Sequence, residues 1–240
     1  MKSHHSVGTI VLSIGIIFLV ALYAMTFLLY NGNKNPATLY FFISAYLLVY
    51  IGAILVFPPH RYRIARKYLH DSRAYVYGIV AFFIASTTLG FLLSPSLSFL
   101  DKFLRELIGM TEGLDAGQLI SFIFLNNLES SLAGLFFGIF FGIIPLFTTA
   151  LNGGVVGYVL ARSWAVSGVS DFWRLLPHGI FELPAVFISL GLGVKLGWTI
   201  FSRRSTFIER LYFSLIVFII VVMPLLAIAA IIEGILIAFS

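Results

Sequence analysis

The sequence has no cysteine, only 10% charged residues, and no polar stretch long enough for a soluble domain. The first absence excludes disulfides, thiolate metal sites and cysteine nucleophiles. The second excludes an ordinary water-facing shell, because soluble domains carry about 25% charged residues. No glycine loop ending in Gly-Lys-Ser/Thr is present, which removes an ATPase reading of this chain, and no HExxH pair marks a zinc protease. What the chain does have is apolar surface. Hydrophobic residues make up 60%, phenylalanine alone occurs 25 times, and the mean hydropathy is +1.04. The apolar runs are continuous rather than alternating, which favours helices over a β-barrel. The fold class is therefore all-α: a polytopic transmembrane helical bundle of about seven spans, with the lipid bilayer as its first partner. A net charge of +5 is read as basic cytoplasmic loops, not as a nucleic-acid surface.

A span needs about 20 mostly apolar residues. Candidates are 7–30, 37–57, 74–93, 121–151, a short 155–165, 175–200 and 211–239. The first run is too long for a signal peptide and lacks its small-residue cleavage site. Two units are expected: 1–73, with two N-terminal spans and a basic loop, and 74–240, a five-span core. Between the third and fourth spans, Phe99, Phe103, Leu104 and Leu107 alternate with Asp101, Lys102, Arg105 and Glu106. That spacing predicts an outer amphipathic helix within 94–119, lying on the membrane.

The basic segments 60–73 and 203–210 belong in the cytoplasm. An even number of crossings must separate them, so 155–165 is expected to cross as a short span; a re-entrant course is the alternative. The amino terminus is then cytoplasmic and the carboxyl terminus outside. The run 121–151 is over-long, since about 30 residues of helix reach about 45 Å. It is expected to tilt, or to kink at Pro145. Asn152-Gly153-Gly154 reads as its terminator or as the cap of the next helix. Gly134, Gly138 and Gly142 recur at every fourth position, and Ser189, Gly193 and Gly197 form a second small-residue face. Such faces pack helices, within the chain or across a homodimer. Lys195 and Trp198 are expected to snorkel at the inner interface.

His178 and Glu182 share one helix face, with Pro177 and Gly179 beside them and Pro177 suited to a helix start. Asn127 and Glu129 are expected at similar depth on the fourth span. These four residues form the candidate polar site. Ionisable groups inside a membrane are costly and are usually paired or functional. A hydrogen-bond network joining two helices, a proton or substrate site, and a metal site on His178 and Glu182 all fit the residue types. A His–Glu hydrolase would need a serine, and Ser130, Ser131 and Ser189 lack a nucleophile-elbow setting. No cofactor is required beyond such a metal ion, and the question of an enzyme stays open.

The order FLNN, a glycine-spaced helix, NGG with Gly157, and PHGIFE resembles the stage II sporulation protein M family, over about 118–197. Asn127, Gly138, Gly142, Asn152, Gly153, Pro177, His178, Gly179 and Glu182 fall on its motif. The resemblance implies a core that starts inside, has an extracytoplasmic first connection, and then several spans. The two N-terminal spans depart from the sporulation protein. The named member works with a peptidoglycan hydrolase during engulfment, a role that does not transfer by resemblance. The expectation is a cell-membrane protein with a transport or envelope-scaffold role, alone or with a membrane-protein partner. An intramembrane metal- or acid–base-assisted hydrolase is the alternative.

Overall fold

The computed structural model describes residues 59–111, 113–168, 172–199 and 204–238. The expected spans 7–30 and 37–57 lie outside these described residues. Among the described residues all regular structure is helical: α1 (Pro59–Asp71), α2 (Arg73–Leu92), α3 (Leu100–Thr111), α4 (Ala116–Phe136), α5 (Ile143–Ser167), α6 (Phe172–Gly197), α7 (Arg204–Val217) and α8 (Met223–Ala238). A π-helical segment, Phe218–Val222, joins α7 to α8 without a break. Five stretches are long and apolar enough to cross a membrane: Arg73–Leu92, Ala116–Ile139, Ile143–Val166, Gly179–Gly197 and Phe207–Ile237.

The segment expected as a basic loop is a helix. Its charges conceal a face of Ala65, Tyr68 and Leu69, continued by Ser72 just beyond α1, at helical spacing. Ala65, Tyr68 and Leu69 pack into the main core. The amphipathic helix is shorter than expected. Ser94–Leu97 forms a 3-10 turn and α3 begins at Leu100. Phe103 and Ile108 of α3 are exposed, as a membrane-surface helix requires.

α4 starts five residues before the expected Ser121, because Asp115 caps it. The Asp115 carboxylate accepts from the Gln118 N–H at 2.8 Å, and the Gln118 side chain accepts from the Asp115 N–H at 3.0 Å. This reciprocal pair satisfies two backbone donors that would otherwise be orphaned. The helix ends in a 3-10 turn, Phe137–Ile139, and the chain reverses at Phe141 and Gly142, with φ of 57° and 73°.

The reversal corrects the expected fourth and fifth spans. The break is at 140–142, not at Asn152-Gly153-Gly154, and neither Asn152 nor Gly153 ends or caps a helix. Both lie inside α5, which is a full-length span and not a short one. In lipid the backbone has no water to turn to, so a helix continues through Asn and Gly that would interrupt it in solution. Pro177 and Gly179 are likewise inside a helix: α6 begins at Phe172, and Pro177 removes one backbone bond within its second turn.

α4, α6 and α8 enclose the main core, which includes Leu128, Leu132, Leu135, Leu192, Leu196, Phe218 and Leu226. α2 and α5 form a pair against α6, through Ile79, Leu190 and Val194 and an edge-on Phe83–Phe187 contact at 5.0 Å. Lipid tails are as apolar as leucine, so close packing and interhelical hydrogen bonds hold these helices, not exclusion of water.

Candidate functional site

Glycine contacts fix the register of α4 and α6. A side chain at Gly138 would fall on the Gly193 backbone, and one at Gly197 on the Gly142 and Gly138 backbone. Gly134 meets the Leu190 side chain. The Ser189 hydroxyl donates to the Ser131 carbonyl at 2.6 Å. The pairs advance together along both chains, so α4 and α6 run parallel. Gly134, Gly138 and Gly142 thus meet their own chain, and a homodimer would have to use another surface.

The same register extends towards the amino-terminal ends of α4 and α6. Asn127 stands one turn above Ser131, and Glu182 two turns above Ser189, on the stripes that face each other lower down. Glu182 follows Asn127 by 55 positions, as Gly193 follows Gly138 and Gly197 follows Gly142. Asn127 and Glu182 are therefore within about one turn of each other on facing stripes, both half-buried. His178 lies one turn further out on α6.

α8 runs antiparallel to α4. Gly234 abuts Ile120, so Glu233 lies near the level of Ser121 and, by the α4–α6 register, of His178. Seven residues separate Glu233 from the fully buried Leu226, which puts both on one stripe. Glu233 is half-buried, and no hydrogen bond or ion pair holds it among the described residues. The signal for it was in the sequence: a lone carboxylate in an otherwise apolar span.

Glu129 does not join this group. Two residues of helix turn it about 160° away from Asn127, beside the Leu125–Leu132 side of α4. The capped start at Ala116 sets Glu129 about 20 Å along the helix and Asn127 about 17 Å, both deeper than the expected end of the span. Among the described residues no three His, Asp or Glu side chains form a metal-binding group. The metal expectation rests on the His178–Glu182 spacing alone.

Asn152 is exposed on α5. Its neighbour Gly153 packs on α2, where an added carbon would lie 2.8 Å from the Ser86 side chain and 2.9 Å from the Phe83 carbonyl. Gly157 meets Thr87 and Phe91 in the same way, and Gly90 meets the Gly154 backbone. The NGG motif is thus part of a small-residue helix interface.

Two further polar clusters were not foreseen. At the end of the bundle away from α1 the Tyr158 hydroxyl donates to Asp101 at 2.6 Å, and Arg162 donates to Asp101 at 2.5 Å and to Tyr158 at 3.1 Å. This clamp ties α3 to α5. Hydrogen bonds from Tyr158 and then Arg162 hold the Asp101 carboxyl below the usual carboxylate range. An arginine ending an apolar span next to an acidic amphipathic helix was the available signal. At the other end Lys195 does not snorkel. It is 8% exposed, donates to Ser72 at 2.8 Å, and lies 3.8 Å over the Tyr68 ring.

No solved structure matches this chain. The protein of Methanocaldococcus jannaschii named "Uncharacterized protein MJ0706" is 35% identical over 89 residues, which is 37% of this chain and 38% of that protein. The chain thus aligns with well under half of that relative's length. A match to the family described as stage II sporulation protein M runs over residues 79–236. It extends beyond the motif-bearing 118–197 in both directions and takes in all five spans in whole or large part. Its apolar spans and this match make the chain a multi-pass integral membrane protein, and it belongs to the stage II sporulation protein M family.

Proposed function

We propose that the chain is a membrane transport protein whose coupling site is formed by Asn127, His178, Glu182 and Glu233. The observation that carries this reading is Glu233. A carboxylate on the core-facing stripe of an apolar span is expensive unless it is paired, neutralised or hydrated. Glu233 has no protein partner among the described residues. The α4–α6–α8 register sets it near the level of His178 and about one turn from Glu182 and Asn127. Two carboxylates, an imidazole and an amide are suited to take up and release a proton or to coordinate a cation. With the basic segments 60–73 and 203–210 facing the cytoplasm, such a site reaches from the outer end of the bundle towards its middle.

The test is proton movement in proteoliposomes. Purified protein is reconstituted, a potassium diffusion potential is imposed, and an internal pH dye is followed. The wild-type chain should pass protons, and Glu182→Gln and Glu233→Gln should each slow the flux at least about tenfold without changing the thermal melt. Glu129→Gln should leave the flux unaltered. Equal flux in all four proteins would refute the assignment.

A further inference from the structure

We propose that the outward face of α1 is a binding surface for anionic phospholipid headgroups. α1 has two unlike sides. Ala65 and Leu69 turn into the bundle, and so does Tyr68, whose hydroxyl reaches the Arg210 carbonyl and the Ser214 hydroxyl, each at 3.2 Å. Just beyond α1, Ser72 receives Lys195. Ala65, Tyr68 and Leu69 are therefore used by protein, and Ile64 stays exposed. Arg63, Arg66 and Lys67 lie on the opposite side at i, i+3 and i+4, all exposed. His70 continues that stripe and is itself 2.7 Å from the Arg73 guanidinium. Asp71 and Glu209 are the exposed acids nearby, and Asp71 already faces His70 at 3.7 Å.

The depth of α1 selects the partner. Tyr68 bonds to residues 210 and 214, which lie inside the Phe207–Ile237 span, and its ring lies under the ammonium of Lys195, two residues before the Gly179–Gly197 span ends. The helix thus lies at the boundary where the spans end and not out in solution. Trp198, exposed and one turn from Lys195, occupies the same boundary as an interfacial anchor. A basic face held at that depth meets lipid phosphate first. Guanidinium groups match phosphate oxygens in geometry as well as charge. An ordinary surface helix lays its apolar face in the bilayer; here the bundle takes that face and the bilayer surface receives the cations.

The full chain, with Trp164→Phe and Trp173→Phe so that Trp198 is the sole indole, is reconstituted in phosphatidylcholine vesicles with a minor fraction of brominated lipid. Bromine is a short-range quencher and reports which lipid neighbours Trp198. Brominated phosphatidylglycerol should be enriched about fivefold or more over brominated phosphatidylcholine, and raising the salt should reduce that enrichment. Arg63→Gln/Arg66→Gln/Lys67→Gln should bring it below about twofold. The charge-conserving Arg63→Lys/Arg66→Lys variant should retain most of it, with an unchanged melt in both. Equal quenching by the two lipids in the parent protein would overturn the proposal, and so would undiminished enrichment in the triple variant. The first outcome is also what a face reserved for an acidic protein partner would give.

Discussion

Neighbouring glycines in α5 should respond to the same substitution with opposite sign. Gly154→Ala places its new carbon in open space, with nothing within 4 Å. Gly157→Ala drives the same carbon onto the Thr87 carbonyl and within 2.7 Å of the Phe91 nitrogen. Both are backbone atoms of α2 and cannot rotate aside. Each substitution gains the same helix propensity, about 0.5–1 kcal/mol, so that contribution cancels between them. What remains is the cost of forcing the helices apart, about 1–3 kcal/mol for one added carbon in a tight contact. Gly154→Ala should therefore stabilise slightly, and Gly157→Ala should fall about 1–3 kcal/mol below it. Reversible unfolding in mixed detergent micelles, followed by circular dichroism, measures the difference. If Asn152-Gly153-Gly154 ended a helix, alanine at 154 would be the damaging change. Equal loss at both positions, or a larger loss at 154, would refute a continuous α5.

The remaining expectations concern polar contacts. Ser189→Ala removes the interhelical bond to Ser131 and should cost about 0.6–1.7 kcal/mol. Ser131→Ala should be neutral or better, because the Ser131 hydroxyl is buried without a partner; the same detergent titration compares the two. Lys195→Met trades a buried ammonium for an apolar chain of similar length. Ser72 keeps its 2.6 Å bond to the Tyr68 carbonyl, so stability should hold or rise, and a large loss would show that α1 depends on the cation. Asp101 has a depressed carboxyl pKa, so its share in docking α3 is present above the ordinary carboxylate value and fades as pH falls through the depressed one. Hydrogen exchange in α3 should accordingly rise only in strong acid. Tyr158→Phe removes the largest cause of the depression and should move that onset up towards about pH 4; an unmoved onset would contradict the clamp.

Much of the architecture was legible because the bilayer imposes it. Apolar length located the spans, and the basic segments at 60–73 and 203–210 required an even number of crossings, which the full-length α5 supplies. The boundary between α4 and α5 was misplaced for a physical reason. Asn-Gly-Gly is a strong breaker in water, but a backbone in lipid keeps its helical bonds and glycine serves close approach instead. The true reversal has Phe141 at positive φ, a conformation its side chain does not announce. At the candidate site, the i, i+4 spacing within α6 sets His178 and Glu182 on one helix face. The phase of Asn127 and Glu129 on α4 and the level of Glu233 on α8 depend on the register between helices, which the local sequence does not carry. The clamp on Asp101 and the seat of Lys195 depend on contacts between distant segments, which no local pattern encodes.

The π-helical segment at Phe218–Val222 acts as a phase setter for everything after it. A π turn takes up one residue more than an α turn, and one residue is about 100° of rotation. Beyond it, α8 turns Leu226, Ala229 and Glu233 towards α4 and α6 and leaves Ile228, Ile231 and Ile235 outside. Removing a single residue from the wide turn would restore an unbroken α-helix at almost no cost in length. It would also rotate α8 by about 100° and take Glu233 off the buried stripe that begins at Leu226. The phase of Glu233 is thus written some 15–20 Å away, in one extra residue of a buried helix.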